Sequence, residues 1–244
     1  MSYADITFLD KNPIKRWLQA KRLFSAMNLC RHLSREPEVI CDFGAGNGEL
    51  IKLLAIRYPN AKLICYEPTP SLLEEAKNNL SDIAKVEFYQ DISGVDLGCV
   101  DIVFCLEVFE HLPPDETNDA LSKMYDLLKQ EGVLIIGTPV EIGIPALYKG
   151  IFRMLRRYGE FDANIKNVWL SFIKRPPSKR PVAEIAPKFK FHFEHMGFDF
   201  RRLKKIISTR FLIRDVSTSP ISWIGTWIMP EVYFVAEKNS NQKR

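Results

Sequence analysis

Val39-Ile40-Cys41-Asp42-Phe43-Gly44-Ala45-Gly46-Asn47-Gly48-Glu49-Leu50 decides the reading of this 244-residue chain. A short apolar run, Val39 to Phe43, turns at once into a loop with three glycines, and Leu50 to Ile56 resumes at helical spacing. Glycine lets a backbone turn tightly and approach a ligand closely, while the helix start beyond it offers free N–H groups. The spacing is G-x-G-x-G, not the G-x-G-x-x-G of dinucleotide folds, and Asp42 precedes the first glycine. A carboxylate there repels a pyrophosphate but suits a ligand carrying an ammonium and a sulfonium. The alternative is a structural turn that Asp42 merely caps.

Downstream of the loop, Tyr58-Pro59-Asn60 ends the first helix and Lys62 to Tyr66 reads as a second strand. Ser71 to Leu80 follows as a helix, then Val86 to Tyr89 as a strand. Val100 to Leu106 is a fourth strand, apolar on both faces as a central parallel strand should be. Asp115 to Leu128 is a helix and Gly132 to Gly137 a fifth strand. Such alternation argues for βαβ units and a parallel sheet covered on both sides. Upstream, residues 14–33 space Ile14, Trp17, Leu18, Leu23, Met27 and Leu33 as an amphipathic helix. The alternation stops at Pro139, and five of the fifteen prolines fall between Pro139 and Pro181. The spacing predicts a helix over 182–196, ahead of the segment Leu203 to Ile207. Two closing strands, Phe211 to Val216 and Val232 to Glu237, then precede a loose polar tail from Lys238.

Composition bounds the function. At 46% hydrophobic and 26% charged, the chain is neither disordered, collagenous nor repetitive. A net charge of +4 is too small for a dedicated nucleic-acid binder. Cys30, Cys41, Cys65, Cys99 and Cys105 form no C-x-x-C pair, so buried reduced thiols of a cytosolic protein are expected. No run reads as a signal peptide or a spanning helix.

Two more acids follow strand ends. Glu67 lies about 20 residues past the loop, where an acid commonly holds ribose hydroxyls. Asp91, after the third strand, can accept from an adenine amino group while Ile92 packs on the ring.

With Asp42 to Gly48, Glu67, Asp91, Glu107-Val108-Phe109-Glu110-His111 and Leu128-Lys129-Gln130-Glu131-Gly132, the stretch Val39 to Pro139 resembles the class I S-adenosylmethionine-dependent methyltransferases. The resemblance implies an α/β fold: a doubly wound, Rossmann-like, seven-stranded sheet, mostly parallel with an antiparallel last strand, plus a helical insertion after strand five. It makes the closing pair the last two strands of that sheet. It implies S-adenosyl-L-methionine as cofactor and S-adenosyl-L-homocysteine as product. Cofactor-binding positions would be Asp42, Gly44, Gly46 and Gly48 for the methionyl part, Glu67 for the ribose and Asp91 with Ile92 for the adenine, with Ala45, Pro68 and Leu106 as further cofactor contacts. The expected organisation is one methyltransferase domain over 1–244. Its parts are an N-terminal helical region (1–36), a cofactor core (37–139), a basic acceptor lid (140–200) and closing strands (201–238).

Glu107, Glu110 and His111 sit just beyond a strand carboxyl end, where open α/β sheets bind ligands. His111 is the natural base for removing an acceptor proton, with Glu110 orienting it and Glu107 facing the acceptor. The E-x-x-E-H spacing is also similar to that of ubiquinone-pathway O-methyltransferases and RNA 3′-terminal methyltransferases. In those, the resemblance implies, Glu107, Glu110, His111 and a later His192 or His195 hold a divalent metal such as Mg²⁺ or Mn²⁺. Nine basic residues between Lys149 and Arg180 face only Glu160 and Asp162, which is +7 locally and −3 elsewhere. On the helix they begin, Leu147, Ile151, Phe152, Leu155 and Tyr158 share a face. Such a segment grips a phosphorylated or lipid-linked acceptor, touches the inner face of a membrane through 147–158, or packs on the domain with solvated charges.

Thr138 to Gly143 and His195 to Leu203 are similar to bacterial methyltransferases associated with surface polysaccharides. The expectation is a cytoplasmic O-methyltransferase acting on a sugar, lipid-linked sugar or other small hydroxyl. A metal-dependent RNA 3′-end 2′-O-methyltransferase and a non-catalytic cofactor-binding subunit are the alternatives; the charge balance argues against nucleic acid.

Overall fold

The computed structural model describes residues 13–32, 35–186 and 189–239. The polar tail and the N-terminal dodecapeptide lie largely outside them. Helix α1 spans Pro13–Asn28, and β1 (Val39–Phe43), α2 (Glu49–Arg57), β2 (Lys62–Tyr66), α3 (Pro70–Asn79) and β3 (Val86–Tyr89) form the first half of the sheet layer. The second half holds β4 (Val100–Leu106), α4 (Pro114–Leu127), β5 (Leu128–Pro139), α5 (Ile144–Arg157) and α6 (Ile165–Phe172). Last come β6 (Ala183–Ala186), β7 (Phe189–Phe191), α7 (Phe200–Ile207), β8 (Phe211–Ser219) and β9 (Glu231–Lys238).

Seven strands pair in the order β3-β2-β1-β4-β5-β9-β8. β1 to β5 run parallel, and β9 pairs antiparallel with both β5 and β8. Side chains alternate across the sheet, so each strand feeds two cores. On one face Ile40, Leu63, Cys65, Ile102, Phe104 and Tyr233 pack under α1, α2 and α3. On the other, Cys41, Phe43, Ile64, Val103, Cys105 and Phe234 pack under α4 and α7. Burial on both sides explains why β4 is apolar apart from Asp101 near its start. Four of the five cysteines are buried, Cys99 is partly exposed, and all five are free thiols.

The strand boundaries match the expectation closely in the first half. The helix expected over 182–196 is not there: β6 and β7 form a two-stranded antiparallel hairpin. Pro187 bars a helix interior, and Phe189, Phe191 and Phe193 alternate with Lys190 and His192 at the strand period of two. The apolar stripe expected over 14–33 holds in part: Leu23 and Met27 pack against the core, and Leu33 lies outside the described residues. Ala26 is buried, whereas Trp17, Leu18 and Phe24 face outward.

One buried acid ties the entry of the sheet together. Asp101 accepts hydrogen bonds from the amides of Glu38 and Val39 (2.9 Å each) and pairs with Arg35 (3.0 Å) and Lys129 (2.9 Å). Burial alone would raise its pKa, but Lys129 and the two amides outweigh burial and hold it below the ordinary carboxylate value. A depressed folded pKa gives stability that is fully present above the unfolded value, near 4, and lost as pH falls below it through the lower folded pKa. Asp101→Ala should therefore cost about 2–3 kcal/mol at pH 7 and less at pH 3, read from urea melts at the two pH values.

Candidate active site

Strand order reverses between β1 and β4, and the carboxyl ends of these two strands open a crevice. The loop after β1 curls over the end of β2: Gly44 and Ala45 donate their N–H groups to the Tyr66 carbonyl at 2.8 and 2.9 Å. Gly44 has φ +84°, and a Cβ built on it would lie 2.5 Å from Cγ2 of Val108, which follows β4. Only glycine lets the two loops meet there.

The loop then meets its acids. Glu67 accepts from the N–H groups of Gly46 and Thr69, both at 2.9 Å. Burial raises the Glu67 pKa, and these two amides pull it partly back. Asp42 is buried at the end of β1, and burial, then the nearby Glu67, push its pKa up to about 8. No cation pairs with it among the described residues. Asp91 is exposed, and its Oδ1 accepts from Ser93 N–H at 3.0 Å, which caps a single turn and holds its pKa low. Ile92 is buried beside it, while Pro68 and Leu106 are partly buried at the ends of β2 and β4.

A second cluster lies past β4. Glu107 takes φ +57°, a left-handed backbone uncommon outside glycine. Arg22 of α1 reaches it at 2.9 Å and also pairs with Glu231 of β9. Burial opposes the charge on Arg22, but Glu107 and Glu231 more than offset it and raise its pKa. Burial drives Glu107 well above the ordinary carboxylate range despite Arg22, with Glu231 and Glu110 adding to the rise. On the opposite wall Glu141 is buried against Lys149 (3.0 Å) and both terminal nitrogens of Arg153 (2.9 and 3.0 Å). Burial alone would raise its pKa, but these cations hold it near 2.

The histidines sort themselves by hydrogen bonding. His111 Nδ1 lies 2.6 Å from the His192 carbonyl. A carbonyl only accepts, so Nδ1 carries the proton and Nε2 keeps its lone pair. His111 stacks on Phe191 and meets His195 edge-on at 4.7 Å. Burial lowers the pKa of both His111 and His195, so both are neutral imidazoles at pH 7. Glu110 is fully buried with neither carboxyl oxygen hydrogen-bonded, and burial pushes its pKa up to about 8. One ligand atom each from Glu110, His111 and His195 lie within 4.8 Å of one another, a grouping able to hold a cation. His192 is turned away, its Nδ1 donating to the Pro181 carbonyl at 2.7 Å, and Glu107 is engaged with Arg22.

A cavity of about 580 Å³ opens between these walls, lined by Arg22, Glu107, Glu141, Lys149, Arg153 and His195, with Tyr148 and Phe152 at its rim. His111 and Glu110 stand behind His195, outside the lining. Another cavity, of about 520 Å³ between α2 and β2, carries no such cluster.

Residues 41–134 match a family model described as a methyltransferase domain. The chain is 30% identical over 112 residues to a malonyl-[acyl-carrier protein] O-methyltransferase of Anoxybacillus flavithermus, covering 45% of this chain and 42% of that protein. It is 28% identical over 127 residues to a trans-aconitate 2-methyltransferase of Afipia carboxidovorans, covering 52% and 48%. The chain thus spans about half the length of the curated relatives it matches. The PH0226 protein from Pyrococcus horikoshii OT3 shares the fold, with a TM-score of 0.61 at 12% identity over 97% of this chain and 96% of that one. The seven-stranded, Rossmann-like sheet implied by the resemblance is the fold found.

Of the expected site residues, the fold brings Asp42, the glycine loop and Glu67 together, and Glu110, His111 and His195 together. Arg22, Glu231 and Glu141 were not anticipated, and Lys149 and Arg153, expected in a basic lid over the acceptor, are instead paired with Glu141. Arg22 sits four residues before buried Ala26, and that cation on the buried stripe was the available signal. Asp42 yields a stability prediction. Its raised folded pKa means the fold is penalised as pH climbs from about 4 to 8, because the unfolded carboxyl has already lost its proton. Asp42→Asn should raise Tm at pH 8 and change it little at pH 4, by differential scanning fluorimetry.

Proposed function

We propose that this chain, which carries a methyltransferase domain, moves the methyl group of S-adenosylmethionine to a hydroxyl of a polyhydroxylated acceptor, a sugar or lipid-linked sugar. The observation that carries the reading is the charge pairing in the cavity. Arg22 lies between Glu107 and Glu231, and Lys149 and Arg153 lie on Glu141. A carboxylate acceptor of the kind named for the malonyl and aconitate relatives would have to displace one of these buried partners, which is costly. A hydroxyl-rich acceptor needs only the spare lone pairs and N–H groups that they offer.

The glycine loop and the acids beside it suit the cofactor. Asp42 is a buried carboxyl without a cation, and an ammonium or sulfonium supplies one. Glu67 fits the ribose hydroxyls, with Pro68 beside it, and Asp91 and Ile92 border the adenine site, while Leu106 lies at the end of β4 beyond β1. When bound, the cofactor supplies a methyl group on a positively charged sulfur, so that the S–CH₃ bond breaks as the acceptor oxygen bonds carbon. This chain's share is alignment and proton removal. Glu107 and Glu231 orient the acceptor hydroxyls. His195, a neutral imidazole on the cavity wall, takes the hydroxyl proton, and His111 with Glu110 behind it sets its orientation.

A second reading has one specific observation behind it: Glu110 offers two buried oxygens without partners, beside His111 Nε2 and His195. One carboxylate and two imidazoles suit Mn²⁺ better than Mg²⁺. In that case the cluster would hold a cation that binds the acceptor oxygens, and the chemistry would also fit the 2′-hydroxyl of an RNA end. The modest net charge of +4 weighs against RNA, whose binding rests on many phosphate contacts.

Labelled cofactor incubated with cell-envelope extracts should give a labelled glycan or glycolipid, and no labelled product from any fraction would refute the reading. His195→Gln should lower kcat by about 10²–10⁴-fold and leave cofactor affinity intact. In the metal reading, EDTA abolishes turnover and Mn²⁺ raises Tm in the wild type but not in Glu110→Gln. Since Asp42 is protonated below about pH 8 in the free protein, cofactor binding must expel that proton. Affinity should therefore rise up to about tenfold per pH unit from pH 6 to 8, measured by calorimetry, and this slope should vanish in Asp42→Asn.

A further inference from the structure

Helix α5 is built inside out. Lys149 and Arg153 turn inward to Glu141, while Ile144, Tyr148, Ile151, Phe152 and Leu155 face outward, Leu155 with 81% of its surface exposed. Neighbouring α6 exposes Ile165 and Trp169, and Ile173 just past its end is exposed as well. Tyr148 donates its hydroxyl to the Ile228 carbonyl at 3.1 Å, which joins α5 to the β8–β9 connection and its exposed Trp223 and Trp227. All four tryptophans of the chain are 55% to 84% exposed. Leaving so much aromatic surface in water is costly and marks a surface that something covers.

The charges around it select the occupant. Residues 144–175 hold seven basic residues against Glu160 and Asp162. Lys149, Arg153 and Arg157 are spent on ion pairs within the fold, whereas Arg156 lies over the Phe152 ring at 5.5 Å. Among the described residues, Arg156, Lys166, Lys174 and Arg175 have no acidic partner. An apolar face edged by tryptophan and by free cations is what a helix lying in a lipid headgroup layer presents. Among the described residues no helix is long and apolar enough to cross a membrane, so the contact is peripheral.

We propose that α5, α6 and the tryptophan-bearing β8–β9 connection dock on an anionic lipid bilayer and open the cavity toward it through Tyr148 and Phe152. The docking stands independently of the acceptor; that the acceptor arrives on a lipid tail rests on the reading given above.

The test is flotation of the whole chain, without cofactor or acceptor, with vesicles of phosphatidylcholine plus phosphatidylglycerol and of phosphatidylcholine alone. Wild type should float with the mixed vesicles, less so in high salt, with a blue shift of tryptophan emission. Ile151→Glu/Leu155→Glu and, separately, Trp223→Ala/Trp227→Ala should each lower partitioning by about tenfold or more. Circular dichroism and cofactor-product binding, unchanged, show that the variants are folded. The proposal is overturned if wild type does not float, or if the folded variants float as well as it does. It is equally overturned if light scattering shows a stable dimer that Ile151→Glu/Leu155→Glu splits, since a second copy then covers the face. None of these outcomes bears on methyl transfer, which is assayed separately.

Discussion

The seating of Gly44 against Val108 is the constraint on which the site depends. It joins the loop after β1 to the loop after β4 at the one place where strand order reverses. The acids that follow β1 and β2 and the carboxylate cluster that follows β4 accordingly lie at the same carboxyl edge of the sheet. A side chain on Gly44 would separate the two loops by the width of a methyl group and force an unfavourable backbone. The left-handed turn at Glu107 follows from the same closeness, since the chain leaving β4 has to bend away at once.

Electrostatics on the two sides of that contact differ in part. On the cofactor side Asp42 is buried beside Glu67 with no cation to balance it, a destabilising arrangement that a positively charged ligand relieves. In the cluster past β4, Arg22, Lys149 and Arg153 already have their carboxylates, and Glu110 is the buried acid left without a cation. The two sides thus share one feature, a buried carboxyl that a positive charge would relieve, and differ in the paired cations that only the second carries.

Much of the first half was legible because its strands are short, apolar and ended by glycine, proline or an acid, so local chemistry and global position agree. β1, β2, β3 and β4 fall where their apolar runs lie. The later part was less legible for identifiable reasons. Residues 182–196 hold enough helix formers to read as a helix, and the period-two run Phe189, Phe191, Phe193 together with Pro187 was the signal against it. The cavity walls come from Arg22, Glu141, Lys149 and Glu231, which are far apart in sequence and look like solvent-facing charges until the fold pairs them. Charge counting along 149–180 likewise missed that Lys149 and Arg153 point inward to Glu141, which leaves apolar side chains to face outward.

Titration calorimetry with S-adenosylmethionine and, in parallel, with a nicotinamide dinucleotide tests the central claim most directly. Saturable one-to-one binding of the sulfonium compound, with proton release and no uptake of the dinucleotide, is the predicted result. Binding of the dinucleotide with no heat from the sulfonium compound would contradict the account.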